Sequence, residues 1–238
     1  MNVKASSKAR DAFYESVKRE YGLDMTPSHQ AYADKIRHNT CTFGSGYAGT
    51  GKTAIAIAEA IKELKAGNVS RIVVTRPTVE ATSNGIGFLP GDKDEKFSVY
   101  LEPVKALMFE LESEENVKRW FSEGKIQAKP LAFMRGLTWN NTFLIADEMS
   151  NASLKDIALL LQRIGHNTKV VLTGDHRQVD LRNERSGWVE AIKILKHVPN
   201  IAIHEFGLED VKRSGFCRDV LAAFEKHETR KAEKRTRI

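Results

Sequence analysis

The sequence predicts an α/β fold, a parallel sheet flanked by helices on both faces, and three observations predict it. Short apolar runs rich in β-branched residues recur at 71–75, 142–147, 169–173 and 201–205, each reading as a buried strand. Longer stretches of helical composition separate them, and strands alternating with helices make a doubly wound sheet. An early strand–loop–helix completes the case. Thr40-Cys41-Thr42-Phe43 leans towards β structure, Gly46–Thr53 is glycine-rich, and Ala54–Ile61 holds good helix formers with no breaker.

Taken in order, residues 3–22 carry Val3, Phe13, Val17 and Tyr21 among charges, the pattern of an amphipathic helix. Thr26-Pro27-Ser28 reads as an N-cap region opening a second helix at about 28–37. The strand, the glycine-rich loop and its helix run to about Ala66, where Gly67-Asn68 offers the residue types that end helices. Arg71–Thr75 is a strand. Arg76 to Lys96, rich in Gly, Pro, Asn and Asp, reads as mostly loop. Helices are expected at 97–112 and 114–122, and an extended segment at 126–133. A strand at 142–147 ends in acids, and a helix follows at 154–163. The strand at 169–173 ends in Gly174-Asp175. A helix near 187–197, a strand at 201–205 and a final helix at about 209–226 close the series. No repeat or linker interrupts it, so residues 1–238 are expected to form one domain, with helices over 1–38 and a basic tail over 225–238.

Bulk properties narrow the class. A chain of 238 residues with 41% hydrophobic and 29% charged residues has the composition of a soluble globule. No apolar run approaches the ~18 residues of a membrane span, and Met1 to Arg10 holds no apolar signal core. Cys41 and Cys217 match no disulfide framework or metal spacing. A cytoplasmic protein without a membrane role is the simplest fit. The net charge of +6 permits nucleic-acid binding without establishing it. Within 225–238, six Lys or Arg face three Glu, which suits either a solvated terminal helix or a contact to a phosphate backbone.

Three motifs carry the chemistry. Gly46-Tyr47-Ala48-Gly49-Thr50-Gly51-Lys52-Thr53 fits G-x-x-x-x-G-K-[ST], a loop whose backbone N–H groups cradle nucleotide phosphates. Lys52 then reaches the β- and γ-phosphates and the Thr53 hydroxyl ligates Mg²⁺. The strand Thr142–Asp147 delivers two carboxylates at its C-terminal end, where ligands of such sheets bind. Asp147 is placed to hold Mg²⁺, directly or through water, and Glu148 to orient or deprotonate an attacking water. After the strand ending Thr173-Gly174-Asp175, Gln178 can sit by a γ-phosphate and tell ATP from ADP. His176 reads as a surface residue.

Together these motifs resemble the PhoH family, phosphate-starvation-inducible ATPases whose core is similar to the first RecA-like half of superfamily-one helicases. The resemblance runs from about Gln30 to Val220. It rests on Gly46–Thr53, Thr75-Arg76-Pro77, Gly87-Phe88-Leu89-Pro90-Gly91-Asp92, Pro130–Gly136, Asp147-Glu148, and Thr173-Gly174-Asp175 with Gln178, Asp180 and Leu181. It implies a RecA-like P-loop NTPase that binds ATP and Mg²⁺, with RNA or single-stranded DNA as substrate. Gln30 matches a glutamine that reads the adenine edge, and Arg213 an arginine able to serve as a finger. The chain departs from the family at Met149-Ser150, where Ala-Gln is usual, at Thr82-Ser83-Asn84, and at Leu137, where Arg is common.

Helicases of this kind bind ATP between two lobes, and the second lobe supplies arginines to the transition state. This sequence has room for one lobe, and an arginine finger is worth about 10³–10⁵ in rate. A head-to-tail homo-oligomer, a hexameric ring by family analogy, would bring Arg213 from a neighbour, with Arg135, Arg182 and Arg185 as other candidates. Two other classes stay open: a small-molecule kinase and a non-catalytic nucleotide switch.

Overall fold

Helix α1, Pro27–His38, starts where its sequence says it should. Thr26 is the N-cap, Pro27 fills the first turn, and a capping box closes between Thr26 and His29. In this computed structural model the described residues are 25–77, 93–134, 136–175 and 187–212, with 215–216, 219–224 and 226–227. The helix expected over 3–22, together with Arg135, His176, Gln178, Arg182, Arg185 and Arg213, lies outside them.

After α1 come β1 (Cys41–Gly46), α2 (Lys52–Lys65), β2 (Arg71–Thr75), α3 (Lys93–Leu111) and α4 (Glu114–Ser122). The series continues with β3 (Ile126–Ala128), β4 (Thr142–Ala146), α5 (Leu154–Leu161), β5 (Lys169–Gly174), α6 (Gly187–Leu195) and β6 (Ile201–Phe206). The strands form one sheet in the order β3-β2-β4-β5-β1-β6, and every pairing is parallel. The expected α/β architecture is what the chain adopts.

Strand period and core composition agree residue by residue. Phe143 and Ile145 of β4 pack with Ile72 and Val74 of β2 and Val171 of β5 in one apolar cluster, which α1 to α4 cover. Leu144 and Ala146 face the other way, joining Val73, Val170 and Leu172 in a second cluster under α5 and α6. Both faces of the sheet are therefore buried, which is why its strands read as continuous apolar runs. Cys41 belongs to this packing, and burial pushes its thiol up to about 12.

Four boundaries differ most from the expectation. Helix α3 begins at Lys93, inside the stretch read as loop, because Asp94 and Glu95 suit a helix N-terminal turn as well as they suit a loop. The segment after β3 is not extended through 133. Residues Leu131–Met134 form a 3₁₀ turn following Pro130. Leu208–Asp210 is likewise a 3₁₀ turn, capped by extended Val211, so no helix begins at 209. Farther on, 215–216, 219–224 and 226–227 are helical. Strand β1 also runs three residues beyond Phe43, to the first glycine of the loop motif.

Trp188 is the largest fully buried side chain. It packs on Phe43, with ring centroids 5.3 Å apart, and lies against the backbone of Gly174. Replacing Trp188 by Ala should lower unfolding free energy by about 3–5 kcal/mol, the usual loss for a buried aromatic, read from urea denaturation curves.

Candidate active site

The carboxyl ends of β1, β4 and β5 open on a cavity of about 590 Å³, within the range of small-molecule sites. Residues 48–55 of the glycine-rich loop and the start of α2 line it, together with Asp147, Glu148 and Thr173 to Asp175. Met25, Ile55, Pro103 and Leu107 make an apolar wall.

Gly46, Gly49 and Gly51 all sit at positive φ and shape the loop. Gly46 has φ +136°, and a Cβ there would lie 2.5 Å from the Phe206 carbonyl oxygen, so only glycine fits between β1 and β6. Gly51 is the N-cap of α2 at φ 78°, and no side chain caps that helix. The first turn of α2 therefore presents backbone N–H groups and partial positive charge to the cavity. Lys52 Nζ donates to the carbonyls of Gly46 (2.7 Å) and Tyr47 (2.6 Å), which folds its side chain back along the loop. The Thr50 hydroxyl donates to the Tyr47 carbonyl and is wholly buried.

Asp147 is heavily engaged. It is 2% exposed. Its Oδ1 accepts from the hydroxyls of Thr53 (2.7 Å) and Thr173 (2.5 Å). Its Oδ2 accepts from Arg76, through Nε at 2.9 Å and through Nη2. The backbone supports this pairing, since the Asp147 N–H donates to the Thr75 carbonyl. Glu148, the next residue, is exposed and left-handed, with φ 59° and ψ 36°. Such a conformation in a non-glycine residue costs about 1–3 kcal/mol and gathers at functional sites. Met149 is fully buried, and Ser150 Oγ accepts from the Asp175 N–H, tying the end of β4 to that of β5. The departure from Ala-Gln at these two positions thus serves packing.

On its other side the loop is held by α1 and by the chain after β6. The Thr26 N–H donates to His29 Nδ1, which puts the ring proton on Nε2, and Nε2 donates to the Thr50 carbonyl (2.9 Å). The Lys212 N–H donates to the Gly49 carbonyl. Asp210 anchors that segment, its Oδ2 accepting from the Gly207 N–H and from Ser28 Oγ, and the Ser28 hydroxyl faces His204 Nε2 at 3.1 Å.

The structure thus gathers residues 48–53, Asp147 and Glu148 around one cavity, while Gly46 and Tyr47 are not among its lining residues. Gln30 is half-buried on α1 and is not among the cavity's lining residues, whereas its neighbour His29 is. Gln178 and Arg213 lie outside the described residues. Among the described residues no three His, Cys, Asp or Glu gather as a metal cage. The oxygens of Thr53 and Asp147 nevertheless suit Mg²⁺, a hard ion that takes one or two protein oxygens and completes its shell with phosphate and water. Sequence reasoning gave no role to Arg76, Thr173, His29 or Ser150. Polar residues at the carboxyl ends of β2 and β5 were the available signal for the first two.

Fold and site together define a protein of the P-loop NTPase class. The chain belongs to the PhoH family: the family described as PhoH-like protein matches residues 23–225. A PhoH-like protein of Mycobacterium leprae is 39% identical over 204 residues, covering 85% of this chain and 58% of that protein. The PhoH-like protein of Bacillus subtilis is 35% identical, with 84% and 63% covered. Protein PhoH of Escherichia coli K12 is 36% identical, with 81% and 55% covered. The chain therefore spans less than two thirds of the length of these relatives. Among solved structures, the Pif1 helicase from Candida albicans is 19% identical at a TM-score of 0.34, covering 77% of this chain and 40% of its own. A likeness that distant says nothing about substrate. No helix among the described residues is long and apolar enough to cross a membrane.

His204 gives the site a pH signature. Burial, with Lys35 nearby, pushes its pKa down to about 4, against the partial opposition of Asp210. Its folded pKa is depressed, so the folded imidazole stays neutral while the unfolded one takes up a proton below about 6.5. The stability contribution is complete above that pH and is lost as pH falls from about 6.5 towards 4. Melting temperatures measured across that window should fall for the native chain and flatten for His204→Gln.

Proposed function

We propose that this protein is a Mg²⁺-dependent ATP hydrolase acting on RNA or single-stranded DNA, working in the cytoplasm as one domain and as a homo-oligomeric ring. The observation that carries the reading is the hydrogen bond from Thr53 to Asp147 beside Lys52, in a cavity of nucleotide size. When bound, Mg²⁺ supplies charge neutralisation between the phosphates. The chain's residues do the rest. Backbone N–H groups of residues 46–53 cradle the phosphates, and Lys52 exchanges two loop carbonyls for phosphate oxygens, stronger acceptors for an ammonium. Thr53 and Asp147 hold the metal side. Glu148 projects from a strained turn into the cavity, where its carboxylate orients a water and accepts its proton. Gln178 reports on the γ-phosphate, Gln30 reads the base edge, and the apolar wall stacks on the base.

The nucleic-acid substrate is supported by family resemblance and by the net charge of +6. The ring, with six copies, is supported by the family resemblance and by the worth of an arginine supplied in trans, a role we give to Arg213. Mixing Arg213→Ala with Lys52→Ala tests the assignment. Activity regained in the mixture means an arginine in trans, and none regained, with normal turnover of Arg213→Ala alone, removes the finger.

Lys52→Ala should abolish binding of a fluorescent ATP analogue. Glu148→Gln should bind it normally while phosphate release falls about 10²–10⁴-fold, the usual worth of a general base. Phosphate release by the native chain should rise on adding poly-U RNA. Binding without turnover would instead mark a nucleotide switch, and labelled phosphate on a metabolite would mark a kinase.

A further inference from the structure

We propose that Arg76 and Mg²⁺ compete for Asp147, which makes Arg76 a positioning residue that holds the metal side of the site until the ion takes its place. The inference rests on the nucleotide reading above and deepens it. Arg76 stands one residue beyond β2, and β2 pairs with β4 so that Thr75 lies opposite Ala146. The next residues along the two strands, Arg76 and Asp147, are thereby brought side by side. Arg76 Nε and Nη2 both reach one oxygen, Oδ2, while Oδ1 serves Thr53 and Thr173. Both oxygens of a carboxylate sealed from solvent are engaged before any ion arrives.

An ion ligated by Thr53 Oγ1 sits within a few ångströms of Oδ1, because that hydroxyl is 2.7 Å from it. The guanidinium on Oδ2 is then a like charge at close range in a poorly screened site. A divalent ion carries twice the charge of a guanidinium, so on this proposal it would displace Arg76 from Asp147, and its binding would carry the cost of breaking that pairing. The displaced guanidinium is not stranded. Its planar fork matches phosphate oxygens, and its present partner, Asp147, lines the cavity where they would bind.

A merely structural Arg76 predicts the opposite sign. If Arg76 only kept Asp147 in place, its loss would misplace the carboxylate and raise the Mg²⁺ requirement. Binding of a fluorescent ATP analogue, titrated with Mg²⁺, separates the two without reference to turnover. Half-saturating Mg²⁺ should fall about ten-fold in Arg76→Gln, the scale of one close like charge removed. It should fall about three-fold in Arg76→Lys, whose ammonium keeps the charge but holds the carboxylate through one point. Where Arg76→Gln does not fold, Arg76→Lys carries the test alone. An unchanged or raised requirement in the folded variants overturns the competition while leaving the nucleotide reading intact. A native chain that binds no analogue at any Mg²⁺ concentration overturns both.

Discussion

The buried Asp147 carboxylate is the constraint on which the rest of the site depends. A charge sealed from water must be paired and hydrogen-bonded, since stripping one partner from such a group costs about 3–5 kcal/mol. Its partners come from Arg76 after β2, Thr173 in β5, and Thr53 in the helix that follows β1. With β4 itself these are four neighbouring strands, adjacent in the sheet order β2-β4-β5-β1. One carboxylate thus clamps the carboxyl ends of the central sheet. Satisfying its oxygens fixes where the phosphate loop, the acidic pair and the tip of β5 stand relative to one another.

The loop is held from the opposite side by different means. His29, fixed as one tautomer by the Thr26 N–H, reaches the Thr50 carbonyl, and the Lys212 N–H reaches Gly49. These contacts trace back to Asp210 and the Ser28–His204 pair, so α1 and the chain beyond β6 act through one polar network. A loop gripped at both ends loses little further freedom when it binds an anion, and that preorganisation favours affinity. The helix cap at Thr26 therefore belongs to the site as much as to the helix.

Much of this was legible in the sequence, and the boundary of legibility is physical. The strands at 71–75, 142–147 and 169–173 were readable because both sheet faces are covered, which leaves unbroken apolar runs. The phosphate loop and the acidic pair were readable because their spacing is local. Arg76 belonged to a recognisable word, Thr75-Arg76-Pro77, yet its role stayed hidden. Its partner lies across a strand pairing that only the folded sheet creates. His29 was passed over for Gln30 because a capping histidine looks like any other helix residue until the Thr26 contact is seen. The charged start of α3 misled for a related reason: Asp, Glu and Lys favour solvent whether the backbone is a loop or a first helical turn.

Glu148 shows how the two kinds of restraint combine. A left-handed glutamate does not persist on its own merits, and its neighbours must hold it there. Before it, Asp147 is immobilised by its carboxylate and by its N–H to Thr75. After it, Met149 is locked in the apolar core and Ser150 is tied to the Asp175 N–H. With both flanks fixed, the chain between them turns outward, and Glu148 is exposed at the cavity. Met149 and Ser150 therefore work by packing and by a hydrogen bond to the next strand end. An amide at position 150 is not needed to aim the glutamate, and the strained turn does not depend on matching the family's usual residues.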